Sequence, residues 1–354
     1  MKILHLANHT QKQNGNVHAA IDLACAQRDL GHEVMILSRG GDFDPLLSRH
    51  GVLIRTVSNF VRPKNVIGSS AALRAAIRSW APDVIHSHMA ASTIMAALAR
   101  VGLNVPIVTT IHNEFDRASI LQGLGDRVIA VSRVVESAMR RRGIPPAKLV
   151  SILNGTIGSA RQPLPAPAAM ALRHPAVLFV GGLHPRKGVA DLLEAFSLAR
   201  ETRPDLNLYL VGDGPHREDY HQMVRPADAD NIHFVGSIAD PRAYYYGADL
   251  FVLSSHADPA PLVISEAREA GLGVIATAVD GVPEMLGHGA AGVLVPPQQP
   301  TRLAEALLDA VRTPEALREL RARSQIGIEG MSINRVANET LATYEEVIAR
   351  RTPR

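Results

Sequence analysis

Short apolar runs recur along the chain, and most are followed by a polar loop and a segment with helical spacing. In the first half these runs predict strands at residues 2–7, 33–38, 52–57, 83–86, 107–111, 127–131 and 149–152. Helices are predicted at 17–30, 71–80 and 133–142, the first ending at Gly31 and the last capped by Ser132. Strands that alternate with helices in this way indicate a parallel, doubly wound α/β sheet.

The same pattern starts again after a proline- and alanine-rich stretch at 158–174 that has no strand periodicity. Strands follow at 176–181, 207–211, 232–235, 248–253, 274–276 and 292–295, and helices at 189–200, 300–312, 314–326 and 333–349. A chain of 354 residues suits two domains. We therefore predict two Rossmann-like domains facing a central cleft. Their bounds are 1–160 and 175–330, with a linker at 161–174 and a last helix within 331–354.

Polar side chains follow several strands of the first half. Asn16, His88 and His112 each come after a predicted strand, and a doubly wound sheet gathers such positions in one crevice. A single histidine at a strand end is usually a structural hydrogen-bonding group, and His86, within its strand, is the weakest candidate. A histidine metal site is unsupported because no His-x-x-x-His or Glu-x-x-His spacing occurs. The absence of G-x-G-x-x-G argues against a dinucleotide enzyme.

Acidic and basic side chains flank predicted helix starts in the second half. Asp258 and Glu266 lie eight positions apart on either side of one helix start, and Arg186 and Lys187 precede another. The free N–H groups of a helix start and two cations suit a diphosphate, and a carboxylate accepts hydrogen bonds from sugar hydroxyls. This half therefore suits a ligand with an anionic part and a hydroxyl-rich part.

Composition and charge indicate the cellular compartment and the classes of partner. One cysteine, Cys25, excludes an internal disulfide and a cysteine metal site, and no run reaches about 18 apolar residues, so a cytoplasmic protein is expected. Residues 1–160 hold 18 Lys+Arg and 10 Asp+Glu, a net of +8, while residues 161–354 hold 19 and 24, a net of −5, which together give +3. The basic half suggests an anionic partner, such as a membrane surface, or simply a solvated face. Nucleic acid is not expected, because the basic residues are not interleaved with aromatic ones.

Several motifs carry a resemblance to a known family. They are LAxxxxxLGHEVMILS at 23–38, DVIHSH at 83–88, VTTIHN at 108–113, RVIAVS at 127–132, GGLHPRKG at 181–188, LYLVGDGP at 208–215, FVGSI at 234–238, and ADLFVLSS, PLVISEA and GVPE within 248–284. Together they resemble the retaining nucleotide-sugar glycosyltransferases of family 4. The resemblance spans nearly the whole chain and implies the GT-B fold, with the last helix crossing back to the first domain.

The resemblance implies roles for individual residues. Asp258 and Glu266 match the two acids of the family's E-x7-E motif, near the donor sugar and on the nucleotide ribose. The implied catalytic residues are His112, Arg186, Lys187 and Asp258, with the histidine beside the sugar and the two cations on the diphosphate. The implied nucleotide-sugar-binding residues are Gly15, Asn16, Gly182, Gly212, Ile238, Pro261, Leu262 and Glu266.

The implied reaction is retaining transfer of a hexosyl or N-acetylhexosaminyl group from a UDP- or GDP-sugar to a glycan or lipid-linked acceptor. No metal or cofactor is expected, since the nucleotide sugar is a substrate. Three features depart from the family pattern: Asp258 replaces a glutamate, Gly182 stands where arginine is common, and Asn14-Gly15 replaces two glycines. The departures at Asp258 and Gly182 keep open a second hypothesis, a non-catalytic nucleotide-sugar or glycan binder. An epimerase or a phosphorylase would be expected to show other cleft acids or a cofactor lysine.

Overall fold

The computed structural model describes residues 1–12, 14–57 and 66–351. The chain divides into two compact units. Unit 1 comprises Met1–Pro163 and Met331–Arg354, and unit 2 comprises Leu164–Gly330. Each unit is built on its own parallel sheet.

The sheet of unit 1 has seven parallel strands in the order β3-β2-β1-β4-β5-β6-β7. In chain order they are β1 Lys2–Leu6, β2 Glu33–Ser38, β3 Leu53–Thr56, β4 Val84–Ser87, β5 Ile107–Ile111, β6 Arg127–Ala130 and β7 Leu149–Ser151. The first five helices are α1 Gly15–Asp29, α2 Asp44–Arg49, α3 Val66–Trp80, α4 Ala90–Ala99 and α5 Arg133–Arg141. The order reverses between β1 and β4, which makes the carboxyl ends of these two strands the switch point of the sheet.

The sheet of unit 2 has six parallel strands in the order β10-β9-β8-β11-β12-β13. They are β8 Ala176–Val180, β9 Asn207–Val211, β10 Ile232–Gly236, β11 Leu250–Leu253, β12 Gly273–Thr277 and β13 Val293–Val295. The helices are α6 Val189–Arg200, α7 Arg217–Met223, α8 Arg242–Gly247, α9 Leu262–Glu269, α10 Val282–Met285, α11 Pro300–Ala310 and α12 Pro314–Arg323. Here the switch point lies between β8 and β11.

The last helix, α13 (Ile333–Ala349), belongs to unit 1 and packs on α1. Its N-cap is Ser332, whose hydroxyl accepts a hydrogen bond from the Arg335 N–H at 3.2 Å. Tyr344 is fully buried in the cluster that includes Ile3, Ile21 and Val84. This cluster fills one face of the sheet, and a second, with Leu4, Leu37, Ile85 and Leu73, fills the other.

The residues predicted as a linker, 161–174, are divided between the units. Arg161 forms two hydrogen bonds of 2.8 Å to the buried carboxylate of Asp22, on α1. Further along, the Met170 N–H donates to the Ala243 carbonyl in unit 2 at 2.8 Å. The composition predicted an extended segment, whereas these side-chain and backbone bonds attach parts of it to one unit or the other.

Two helices of unit 1 were not predicted from the sequence. They are α2 and α4, and α4 has the sequence AASTIMAALA, with small and apolar residues all round. A helix without a charged face has no amphipathic period to detect. Across residues 1–12, 14–57 and 66–351, no helix is both long enough and apolar enough to cross a bilayer.

Candidate functional site

The basic loop of unit 2 follows β8 at the switch point. Pro185–Lys187 forms a single 3-10 turn that ends at Gly188, whose φ is +62°. A Cβ on Gly188 would lie 1.9 Å from the Ser254 carbonyl oxygen, at the end of β11. The Ser254 hydroxyl in turn donates to the Lys187 carbonyl at 2.9 Å. The two switch-point loops are therefore held in direct contact, and only glycine fits at their crossing.

Lys187 and Asp258 form an ion pair across these loops. The Lys187 ammonium donates to Oδ2 of Asp258 at 2.5 Å, and both side chains are largely buried. The Ser255 hydroxyl donates to the same oxygen at 3.3 Å. The structure thus brings together two residues that were predicted to act on phosphate and on sugar.

A third acid, Asp280, positions Asp258. Its Oδ2 accepts the Asp258 N–H at 2.6 Å. Burial raises the pKa of the Asp280 carboxyl above its usual value and the charge of Asp258 raises it further, while this hydrogen bond and the charge of Arg186 oppose the shift. Asp280 was not among the predicted site residues, because an aspartate before a glycine, shortly after a buried strand, gives no sign that it holds another aspartate.

Helix α9 begins immediately after this cluster. Pro261 is its N-cap residue and makes no side-chain cap hydrogen bond, and Leu262 is buried. The Tyr245 hydroxyl donates to Oε2 of Glu266 at 3.1 Å, in the second turn of the helix. Glu266 itself is half-buried. Tyr245, on α8, was missed because nothing in the sequence relates the two helices.

Three other predicted binding positions lie in the loops after β8, β9 and β10 of unit 2. Gly212, after β9, has φ +142°, and a Cβ there would lie 1.9 Å from the Gly181 carbonyl oxygen. Gly182 lies next to His184, whose Cδ2 would be 3.3 Å from a Cβ at that position. Ile238 is half-buried in the loop after β10. These residues line the same sheet edge as the basic loop.

The first loop of unit 1 ends where α1 begins. Gly15 is exposed, and a Cβ there would meet nothing within 4 Å among the described residues, so no contact with them requires glycine at this position. The Asn16 side chain accepts from the Val17 N–H at 2.9 Å and donates to Sδ of Met89 at 3.1 Å. Asn16 and His88 line one small pocket at the β1 and β4 ends.

His112 follows β5 and joins a series of buried hydrogen bonds. Its Nε2 lies 3.3 Å from Nδ1 of His88, and Nε2 of His88 lies 2.9 Å from Nδ1 of His5. Nε2 of His5 lies 2.8 Å from Oε1 of Gln27, whose Nε2 donates to the Tyr344 hydroxyl at 3.2 Å. We call Gln27, His5, His88 and His112 the histidine chain.

A branch of the same network includes His86. Its Nδ1 lies 2.5 Å from the Tyr344 hydroxyl, and its Nε2 lies 2.7 Å from the Thr110 hydroxyl. His5 and His86 are opposite each other in the register of β1 and β4. The strand position that argued against a role for His86 thus places it within a buried polar network.

Three of these histidines could approach a metal ion. Ligand atoms of His5, His86 and His88 lie within 4.8 Å of one another. However, both ring nitrogens of each histidine already have a hydrogen-bond partner. His5 is bonded to His88 and Gln27, His86 to Tyr344 and Thr110, and His88 to His5 and His112. These three histidines therefore form a satisfied hydrogen-bond network. His5, which was not among the candidates found in the sequence, completes it.

Burial keeps these histidines neutral. It lowers the pKa of His5 to about 4, although the hydrogen bond that His5 donates to Gln27 acts to raise it, and it lowers the pKa of His112 to about 4. The pKa values of His86 and His88 lie well below the usual value, first through burial and then through neighbouring histidines. At neutral pH each ring therefore has one N–H and one lone pair.

Comparison with known proteins identifies the family. The model described as Glycosyltransferase Family 4 matches residues 14–156, and that described as Glycosyl transferases group 1 matches residues 174–313. A Mycobacterium tuberculosis glycogen synthase is 30% identical over 298 residues, which cover 75% of this chain and 69% of that protein. The chain belongs to glycosyltransferase family 4.

A second relative and a solved structure are also similar to this chain. The D-inositol 3-phosphate glycosyltransferase of Thermobispora bispora is 28% identical, over 85% of this chain and 82% of that protein. The crystal structure of Anabaena HepE in complex with UDP has a TM-score of 0.80 at 20% identity and covers 98% of this chain and 100% of that one. The sequence-based prediction of family and GT-B fold is confirmed.

Within this family 4 glycosyltransferase, the predicted residues fall into two sets. In unit 2, Lys187 contacts Asp258 directly, and Glu266 lies on the helix that follows. In unit 1, His112 contacts His88, and Asn16 and His88 line the same pocket. Each set lies at the carboxyl edge of its own sheet, as expected for a doubly wound fold.

Proposed function

We propose that this protein is a retaining hexosyl- or N-acetylhexosaminyltransferase that uses a UDP- or GDP-sugar and a glycan or lipid-linked acceptor hydroxyl. The observation that carries the proposal is the Lys187–Asp258 pair at the switch point of unit 2. In this pair, a cation suited to phosphate is hydrogen-bonded to a carboxylate suited to sugar hydroxyls, directly before the N-terminus of α9.

Arg186 and Lys187 act on the leaving group in this proposal. The bond from the anomeric carbon to the diphosphate breaks as the acceptor oxygen attacks from the same face, and the acceptor proton passes to a donor phosphate oxygen. Negative charge develops on the diphosphate, where the two cations and the first N–H groups of α9 stabilise it. Loss of one such preorganised donor costs roughly 3–4 kcal/mol of transition-state stabilisation. No added metal ion is needed in this scheme.

Asp258 and Glu266 act on the hydroxyl-bearing parts of the donor. Asp258 accepts hydrogen bonds from the sugar, and Glu266, oriented by Tyr245, accepts them from the ribose. Support for a uridine donor comes from Anabaena HepE, which has been crystallised with UDP and with UDP-glucose. Because Asp258 is shorter than the family's glutamate, it is the residue to which we assign the sugar preference.

The class of acceptor is proposed from the net charge of the first half of the chain. The net charge of +8 on residues 1–160 suits an anionic or membrane-borne acceptor. Sedimentation with vesicles that contain anionic lipid, compared with neutral vesicles at two salt concentrations, tests this step. Equal binding to both vesicle types would contradict it.

A ligand panel tests the function itself. Thermal unfolding is followed with UDP, GDP, ADP and their sugars, and the stabilising sugar is then offered to an acceptor screen in the presence of EDTA. We expect stabilisation by one base, transfer in EDTA, and NMR spectra of the product that retain the anomeric configuration. Binding without transfer or donor hydrolysis would favour the non-catalytic binder, and inverted product would overturn the retaining reaction.

A further inference from the structure

The histidine chain has a direction that the side-chain chemistry determines. Oε1 of Gln27 can only accept a hydrogen bond, so Nε2 of His5 must donate to it. In a neutral imidazole the other nitrogen then carries a lone pair. Nδ1 of His5 therefore accepts from Nε2 of His88, and by the same rule Nδ1 of His88 accepts from Nε2 of His112.

This direction leaves one nitrogen at the end of the chain. Nδ1 of His112 is buried and has no hydrogen-bond partner among the described residues. With Nε2 of His112 committed to His88, this Nδ1 is an unprotonated acceptor. His112 therefore has one unused lone pair of fixed direction.

We propose that Gln27 is a positioning residue that sets the tautomer of His112 through His5 and His88, so that Nδ1 of His112 accepts a hydrogen bond from a substrate hydroxyl. The part that concerns the substrate rests on the proposed function and on the place beside the donor sugar that the family resemblance implies for His112. The part that concerns the tautomer rests on unit 1 alone.

The orientation of the Gln27 amide decides the direction of the chain. Its Nε2 donates to the Tyr344 hydroxyl, which can then donate to Nδ1 of His86. The reverse orientation would invert every bond and leave a buried N–H on Nδ1 of His112 without an acceptor. Unsatisfied buried N–H groups are rarer and more costly than unused lone pairs, so the His112 end of the network favours the orientation in which Oε1 of Gln27 accepts from His5. The Tyr344 hydroxyl can donate or accept and fits both orientations.

The position of Gln27 explains how a residue on α1 reaches the site. Gln27, His5 and His88 are all buried, and Tyr344 on α13 accepts a hydrogen bond from Gln27. Gln27 does not contact His112 in this chain of bonds, and two imidazoles separate them. Its effect is thus transmitted only by the donor and acceptor order of the rings.

Nitrogen-15 NMR of histidine-labelled protein tests the tautomer. His112 is assigned by comparison with His112→Asn, and its ring nitrogens are classified as protonated or unprotonated near neutral pH. We expect Nε2 protonated and Nδ1 unprotonated in the wild type and in Gln27→Glu, whose carboxylate also accepts from His5. In Gln27→Leu we expect a tautomer mixture. A protonated Nδ1 in the wild type, or an unchanged His112 spectrum in Gln27→Leu, would overturn the proposal.

Kinetics test the consequence for the substrate. With the donor found in the ligand panel, Gln27→Leu should lower kcat/KM about tenfold, the value of one hydrogen bond, while Gln27→Glu retains most of it. Val347→Ala is the matched control, because Val347 is a buried apolar residue of α13 in the same region. It should lower thermal stability without altering the His112 spectrum or kcat/KM.

The two readouts separate two kinds of failure. If no donor supports transfer, the proposed function fails while the NMR result still decides the tautomer. If Gln27→Leu changes the tautomer but leaves kcat/KM at the wild-type value, the positioning role is overturned although the enzyme is active.

Discussion

The ammonium of Lys187 lies 2.5 Å from Oδ2 of Asp258, so a proposed phosphate ligand and a proposed sugar ligand are bonded to each other. In the proposed reaction, a diphosphate that binds Lys187 draws the ammonium toward a second anion and weakens its bond to this carboxylate. Asp258 then has a lone pair that a sugar hydroxyl can fill. The proposed function therefore couples phosphate binding and sugar binding through one ion pair.

Replacement of Lys187 tests the charge that faces the leaving group. We expect Lys187→Ala to lower kcat by about 10²–10³-fold, the usual effect of removing one preorganised donor. Arg302→Ala is the control, since Arg302 is exposed and forms a surface ion pair with Glu305. Circular dichroism checks that the fold is intact, and wild-type turnover of Lys187→Ala would refute the diphosphate assignment.

Neutralisation of Asp258 should separate binding from turnover. Asp258→Asn removes the anion that competes for Lys187, so a nucleoside diphosphate should bind at least as tightly as to the wild type. Transfer should fall, because a carboxylate acceptor for the sugar is lost. Calorimetry with UDP or GDP and an activity assay measure the two effects, and parallel loss of both would contradict the competition.

The ribose assignment of Glu266 is tested with a substrate analogue. Charge-assisted hydrogen bonds contribute about 1.5–3 kcal/mol, so wild-type protein should bind UDP at least tenfold more tightly than its 2′,3′-dideoxy analogue. Glu266→Ala should bind the two nucleotides equally, and Tyr245→Phe should show an intermediate difference because the Tyr245 hydroxyl orients Glu266. Undiminished discrimination in Glu266→Ala would place the ribose elsewhere.

Gly188 combines a backbone and a steric requirement. Gly188→Ala should be strongly destabilising, because alanine at φ +62° costs about 1–2 kcal/mol and its Cβ would also collide with the Ser254 carbonyl. Gly271→Ala isolates the first cost, since Gly271 has φ +74° and nothing within 4 Å of a Cβ. Urea unfolding should rank Gly188→Ala well below Gly271→Ala, and equal midpoints would mean that the loop adapts.

Stability of unit 1 should depend on pH through the buried histidines. Because the pKa of His5 and of His112 is lowered to about 4 from a usual 6.5, the unfolded chain binds protons that the folded chain does not. Stability is then full above about pH 6.5 and falls as the pH drops toward 4, by up to about 1.4 kcal/mol per pH unit for each histidine.

Fluorescence follows this change selectively. The chain has one tryptophan, Trp80, which is at the end of α3 in unit 1. Its urea midpoint should be lower at pH 5 than at pH 7.5. A midpoint that stays constant or rises on acidification would show that these histidines are protonated in the folded chain.

Local sequence patterns determined the bounds of many strands and helices in this protein. The predicted bounds of β2, β5, α6, β9 and α13 agree with the structure, because a short apolar run or a helical stripe between turn residues depends only on nearby positions. The motifs also placed Lys187, Asp258 and Glu266 at strand ends and a helix start. The family and the fold class followed from the sequence for the same reason.

Tertiary structure decided which side chains meet. His5, Gln27 and Tyr344 are joined in one network although 317 positions separate Gln27 from Tyr344, and no local pattern relates residues so far apart. Asp280 was likewise only a turn residue until folding brought it to the N–H of Asp258. The direction of a hydrogen bond depends on the partner that burial supplies, so the tautomer of His112 is a property of the packed sheet and helices and not of the sequence around His112.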